Sequence, residues 1–184
     1  MPKGSGFFIH KEGFIITALH VVEGETILQI SQERNRFYPA EVVYKEPRFD
    51  LALLKTGLTK EIVSLRLNRM DELQLNDSIY LIGSPLGLNQ SLLKGFISVL
   101  ERTHFDPKYP DIPYIQTYGT SFEGCSGAAV YTYNGKLLGV NRATYGTAFG
   151  NSFGLVLPSE FLEIFLNESQ KNGVFPGLKY SLFP

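Results

Sequence analysis

Tryptophan is absent from this 184-residue chain, and cysteine occurs once, at position 125, so no internal disulfide can staple the fold. Histidine is almost as scarce. His10, His20 and His104 stand far apart, without the cysteine or carboxylate spacing of a metal site, so the chain carries no metal signature. Neither sign of charge dominates: 17 Lys and Arg against 18 Asp and Glu leave a formal net charge of −1 and no basic stripe, which removes the electrostatic reason to propose a nucleic-acid partner. No apolar run reaches the roughly 18 residues that cross a bilayer. The Met1-Pro2-Lys3 start is not followed by a secretory apolar core and cleavage site. As written the chain reads as soluble, and an extracytoplasmic location stays open if a leader or anchor was removed.

What is present is apolar and punctuated. A hydrophobic content of 43% is enough for a core, in one compact domain or in two small barrels sharing an interface. Phe7-Phe8-Ile9 and Phe14-Ile15-Ile16 flank His10-Lys11-Glu12-Gly13 as a hairpin flanks its turn. The grammar repeats at Thr26–Ile30, Ala40–Tyr44, Leu51–Leu54, Ser78–Ile82, Phe96–Leu100, Tyr114–Thr117, Ala129–Tyr133, Lys136–Asn141 and Phe153–Leu157. Between these runs lie Glu23-Gly24, Tyr38-Pro39, Asn76-Asp77, Pro110-Asp111 and the strong hairpin signal Asn134-Gly135. Many short strands at this spacing predict an all-β barrel or sandwich. One helix is predicted near the end: Ser159 can cap it, Glu160 meets its positive dipole, Phe161, Leu162, Phe165 and Leu166 share a face, and Gly173 stops it. Gly83 to Gln90, with Ser84-Pro85 and Gly87, interrupts the strand pattern and is the expected junction between two barrels.

Gly124-Cys125-Ser126-Gly127-Ala128 sets one hydroxyl between glycines just before the apolar run Ala129-Val130-Tyr131. Gly124, lacking a Cβ, lets the chain turn so that the amides of Gly124 and Ser126 can face one spot. A serine nucleophile also needs a base, a group that orients the base, and donors for an oxyanion. His20 follows the apolar run ending at Leu19 and is the best base among the three histidines. Asp50 abuts Leu51-Ala52-Leu53-Leu54, which would draw its carboxylate inward, where it needs a hydrogen-bonded partner. Each feature alone also reads as plain structure: a tight turn, a packed imidazole, a strand-entry aspartate.

Taken together, Gly4-Ser5-Gly6-Phe7-Phe8-Ile9, Thr17-Ala18-Leu19-His20-Val21-Val22 and Phe49-Asp50-Leu51-Ala52-Leu53-Leu54 closely resemble the HtrA/Deg branch of the trypsin-like serine proteases. Ile82-Gly83-Ser84-Pro85-Leu86-Gly87-Leu88, Gly95–Leu100, Gln116-Thr117, Gly124–Gly127, Leu138–Asn141 and Phe153–Ser159 continue the likeness in order, over nearly the full length. The resemblance implies two six-stranded antiparallel β-barrels, residues 1–88 and 89–158, then a helix over 159–173 and a tail over 174–184. It implies a serine endopeptidase needing no cofactor and acting on protein or peptide substrates, with His20, Asp50 and Ser126 as the triad. It implies an oxyanion hole at Gly124, Cys125 and Ser126. The primary substrate pocket would be lined by Ser121, Ala143 and Thr144, shallow and uncharged, suited to small or medium apolar residues. Cys125 competes as nucleophile, but the residue two before it is Glu123, whereas Ser126 has Gly124 there. A non-cleaving peptide-binding module is the other functional reading. The family pattern usually continues into a PDZ module near Gly177, and the oligomeric state, monomer or trimer, stays open.

The likeness has departures. Ala128 replaces a usual glycine, Tyr118 an aspartate and Ser84 an asparagine, while bulky Phe122-Glu123 stand in the oxyanion loop. They lead to the expectation that the resting oxyanion hole is imperfect and forms on substrate binding, with the loop Thr144–Gly150 also movable.

Overall fold

The computed structural model describes residues 4–33, 36–61, 65–88, 90–145 and 153–178. Strands β1 (Gly6–His10) and β2 (Phe14–Ala18) form the first hairpin, and Gly13 at φ +84° makes its turn. After a single helical turn, α1 (Leu19–Val22), come β3 (Gln29–Glu33), β4 (Arg36–Glu46) and β5 (Leu51–Thr56). The sheet order is β1-β2-β5-β4-β3. Every residue of β2 is buried and all but one of β5, because both faces of these central strands are covered. Their sequences are therefore continuous apolar runs. At the edge, β3 alternates exposed and half-buried residues, the period of a strand with one wet face.

Strands β6 (Ser78–Gly83), β7 (Ser91–Arg102), β8 (Tyr114–Tyr118), β9 (Ala129–Thr132), β10 (Leu137–Tyr145) and β11 (Phe153–Pro158) close into a barrel in the order β10-β11-β8-β7-β6-β9. The turn signal Asn134-Gly135 joins β9 to β10, with Gly135 at φ +80°. The all-β expectation holds, and the second unit is the six-stranded barrel foreseen. The first is corrected: among the described residues it is an open sheet of five strands. The boundary at 88/89 is corrected too. β6 hydrogen-bonds to β7 and β9, so it belongs to the second barrel, and Gly83–Gln90 is the β6–β7 connection rather than the junction. The chain crosses between the halves after Thr56 and before Ser78.

The largest core cluster is the seam itself. Ile9, Phe14, Ile16, Leu51 and Leu53 from the first sheet pack with Tyr114, Leu137, Val140, Leu155 and Leu157 from the barrel. Leu162, Phe165 and Leu166 of α2 (Ser159–Lys171) seal it, and Phe175 beyond the helix packs edge-on against His10 and Phe14. The predicted apolar face of α2 is the one buried. Its start differs from expectation: Pro158 holds the cap position, and Ser159, already helical, donates its hydroxyl to Asn68 O at 2.6 Å. Glu160 accepts from Met70 N at 2.6 Å. Both contacts tie α2 to the crossing segment. Residues 179–184 of the expected tail lie outside the described residues.

Candidate active site

β2 ends at Ala18, and the chain winds once through α1, burying Leu19 and Val22 and leaving His20 outward with its side chain 49% exposed. Asp50 sits in the β4–β5 turn with φ +55°, a left-handed backbone that an L-residue adopts at a cost of order 1 kcal/mol. Three hydrogen bonds offset that cost. Leu19 N donates to Asp50 O at 2.8 Å, His20 N donates to Oδ1 at 2.9 Å, and the His20 ring Nδ1 lies 2.6 Å from Oδ2. With Nδ1 committed to a carboxylate, Nε2 is the nitrogen left to exchange a proton. The sequence expectation of a histidine at a strand end is refined: a helical turn holds it.

On the other side of the seam, Cys125 N donates to Phe122 O at 2.9 Å, closing a turn whose third residue, Gly124, has φ +91°. A Cβ on Gly124 would stand 2.5 Å from Ser84 O, so both backbone and space demand glycine. The Glu123 carbonyl accepts from Leu86 N at 2.7 Å. A trans peptide points its N–H opposite its C=O, so the Gly124 amide is directed away from Leu86. Neither the Gly124 nor the Ser126 amide has an acceptor among the described residues. This geometry counts against an unformed resting hole, because the peptide that would have to flip is already anchored. Cys125 is corrected within the expected oxyanion set, since its amide is spent on Phe122.

Ser5 binds the turn to the first sheet: its N–H donates to Ser126 O at 2.8 Å, its hydroxyl to Gly124 O at 2.7 Å, and its carbonyl accepts from Thr17 Oγ1 at 2.6 Å. A Cβ on Gly127 would fall 2.2 Å from Ser5 O and 2.8 Å from Ala18 N, so the Ser126 turn lies against the end of β2 that leads into His20. Half-buried Ser126 donates Oγ to Arg142 O at 3.3 Å, and no hydrogen bond joins it to His20 in this conformer. Arg142 is the extra residue of a β-bulge, between Asn141↔Val156 and Ala143↔Leu155, and its Nε reaches to 3.3 Å from Asp50 Oδ2. One residue thus touches the serine through its carbonyl and the aspartate through its side chain.

A profile of the trypsin-like peptidase domain matches residues 4–140. The chain belongs to the trypsin-like peptidase family. It is 31% identical over 165 residues to the periplasmic serine endoprotease DegP of Escherichia coli K12, covering 89% of this chain and 35% of DegP. To a probable periplasmic DegP-like endoprotease of Halomonas elongata it is 34% identical over 152 residues, covering 83% of this chain and 31% of the relative. The HtrA-type protease AlgW with a decapeptide superposes with a TM-score of 0.75 at 29% identity, covering 92% of this chain and 52% of AlgW. The chain spans about a third of the length of these curated relatives.

Against that family background, Ser121 is buried, and its hydroxyl bonds Thr144 Oγ1 at 2.5 Å and donates to Asn141 Oδ1 at 3.2 Å. Thr144 Oγ1 also lies 3.2 Å from Phe122 O, and Ala143 precedes Thr144 on β10. Of the three predicted pocket residues, Ser121 and Thr144 are joined by their hydroxyls, and Ala143 adjoins Thr144 along the strand. Of the loop expected to move, residues 146–150 lie outside the described residues. Cys125 is wholly buried, and that burial pushes its thiol up, so the neutral, unreactive form prevails. Burial therefore counts against Cys125 as the nucleophile.

Sequence reasoning missed Ser5 and Arg142 as site residues and read Leu86 as part of a junction and of the family-like segment Ile82–Leu88, without a role at the site. Ser5 had a signal, a serine between two glycines. Leu86 and Arg142 had none, since a backbone amide and a bulge are set by register rather than by residue type.

Proposed function

We propose that this chain is a serine endopeptidase that hydrolyses peptide bonds in unfolded or flexible protein segments. The observation that carries the reading is the His20–Asp50 pair at 2.6 Å, facing across the seam a serine turn with two unspent amides. Ser126 Oγ attacks the scissile carbonyl while His20 Nε2 takes its proton, and Asp50 holds the imidazole tautomer and steadies the imidazolium. The carbonyl oxygen becomes an oxyanion held by the amides of Gly124 and Ser126, each contributing about 3 kcal/mol by the effect of losing one such donor elsewhere. The tetrahedral intermediate expels the amine, which leaves with the proton from His20. Water then attacks the acyl-enzyme ester by the same route in reverse, releasing the acid and restoring Ser126.

Substrate is recognised by backbone pairing. Among the described residues, β10 from Ala143 to Tyr145 pairs only with β11, since its last pair with β9 is Val140↔Ala129, which leaves one edge for an added strand. An incoming amide takes the Arg142 carbonyl, which releases Ser126 Oγ towards His20. Ser121, Ala143 and Thr144 shape a shallow pocket for a small or medium apolar side chain. The named relatives are periplasmic endoproteases, so an extracytoplasmic role in protein quality control fits this chain.

The alternative, a peptide-binding module that does not cut, draws on one observation: the Ser126 hydroxyl faces Arg142 O rather than the imidazole. Reaction with a fluorophosphonate probe separates the two. Stoichiometric labelling of Ser126, lost in Ser126→Ala, together with casein cleavage supports the hydrolase; peptide binding with neither supports the module.

A further inference from the structure

Arg142 leaves its bulge towards the triad and ends between two carboxylates and two rings. Nε lies 3.3 Å from Asp50 Oδ2, and Nη2 donates to Asp106 Oδ2 at 2.7 Å. The guanidinium carbon is 5.2 Å from the Phe105 ring centroid and 5.5 Å from that of Tyr114. Arg142 and Asp106 are only 19% and 17% exposed, so salt screens this cluster little. Nε is within ion-pair range of Asp50 but makes no hydrogen bond, so its action on Asp50 is one of charge.

A lone guanidinium beside Asp50 would harm a triad. It would draw on the carboxylate charge that an imidazolium at His20 needs, and so oppose proton transfer from the serine. Asp106, carried by the β7–β8 connection, supplies the missing anion. Two carboxylates and one guanidinium present His20 with a single net negative charge, as one aspartate would. The rings of Phe105 and Tyr114 hold the planar cation in place. Burial drives the Tyr114 hydroxyl up to about 12, against the pull of Arg142, so it stays neutral and adds no charge. The charged and titratable groups meeting here are thus His20 from α1, Asp50 from the β4–β5 turn, Arg142 from β10, Asp106 from the β7–β8 connection, and neutral Tyr114 from β8.

We infer that Arg142 and Asp106 form a charge-balanced brace that positions Asp50 and sets the pH range over which His20 works as a base. Arg142 is a positioning residue, and the inference rests on the hydrolase reading above. The test uses the full chain, with two readouts: the pH dependence of the rate at which a fluorophosphonate probe labels Ser126, and the titration of the His20 ring protons by NMR. Arg142→Gln leaves two carboxylates facing the imidazole, which favours its protonation, so the acidic limb moves up by about one pH unit. Asp106→Asn leaves the guanidinium unbalanced and moves the limb down by about as much. The double variant returns the limb to the wild-type position. Arg142→Lys keeps the charge but loses the fork and the stacking, so the limb stays while the rate falls severalfold.

Opposite shifts that cancel in the double variant establish the brace. Limbs that coincide, or that move the same way, overturn it. If the wild type is not labelled, the hydrolase reading fails, and the NMR titration still decides whether the brace exists. If Arg142→Gln does not fold by circular dichroism, the isosteric Asp106→Asn decides alone, and an unmoved limb there overturns the inference.

Discussion

In the second half of the molecule six strands close on themselves, whereas among the described residues the sheet of the first half ends in two edges, β1 and β3. Closure pairs each barrel strand on both sides and fills the interior with Ile79, Leu81, Ile97, Ile115, Val130 and Leu138, all essentially inaccessible. The open sheet leaves Ile27, Phe37 and Val42 exposed near its outer edge and relies on the barrel and α2 to cover its inner face. The site divides in the same way. In the proposed hydrolase the barrel half contributes what must not move: the Ser126 turn, its two unspent amides and the Ser121 and Thr144 hydroxyls. The sheet half contributes the proposed base and its orienter, His20 on a helical turn and Asp50 in a strained turn, held by three hydrogen bonds to Asp50. A rigid frame is needed where a developing charge must meet fixed donors. A proton carrier needs only its ring tautomer and direction fixed.

The sharpest challenge to this division is to remove the nucleophile. Ser126→Ala should abolish probe labelling and lower casein cleavage by about a millionfold, the loss seen when a triad serine is removed, with its melting temperature little changed. Phe165→Ala acts on the seam instead: emptying a fully buried ring site should cost about 3–5 kcal/mol in urea unfolding, with the loosened sheet half losing order first. Hydrogen exchange that opens both halves together would break the comparison. Gly124→Ala tests the rigid side alone. With φ at +91° and Ser84 O in the way, it should slow the labelling rate by about 100-fold or more while binding of a product peptide persists.

The smallest effect concerns the tie between β4 and α2. Arg48 donates to Glu46 at 2.6 Å and reaches Glu168 at 3.3 Å. The Arg48 hydrogen bond holds the Glu46 carboxyl below its ordinary value. A depressed acid contributes stability above the unfolded-state value, and that contribution fades as pH falls through the folded one. Arg48→Gln should therefore lower the free energy of unfolding at neutral pH by less than about 1 kcal/mol, since the guanidinium is half exposed, with the difference vanishing in acid. A difference that persists unchanged in acid would mean that the Arg48–Glu46 ion pair is not what Arg48 contributes to stability.

Much of this was legible in the chain because it depends on nearest neighbours. Strand runs such as Leu51–Leu54, the Asn134-Gly135 turn and the apolar face of Leu162, Phe165 and Leu166 are local patterns, and each lies where it was expected. Ser126 between two glycines and Asp50 against a buried strand were readable as candidates for the same reason. The count of strands in the first sheet and the assignment of β6 to the barrel were not, because pairing partners lie far apart in sequence. Ser5, Leu86 and Arg142 were hidden more deeply. Ser5 N–H on Ser126 O, Leu86 N–H on Glu123 O and the bulged Arg142 beside Asp50 are relations between distant segments.

The amino-acid order alone determined the elements, the glycines of the nucleophile turn and the three candidate triad residues, since propensity, turn chemistry and burial pattern act over a few residues. Tertiary structure alone decided which amides are left unspent, which carbonyl holds the serine and which charge stands behind Asp50. Those are settled by register and bulges at the seam, where hydrogen-bond partners become available only once the two sheets have packed.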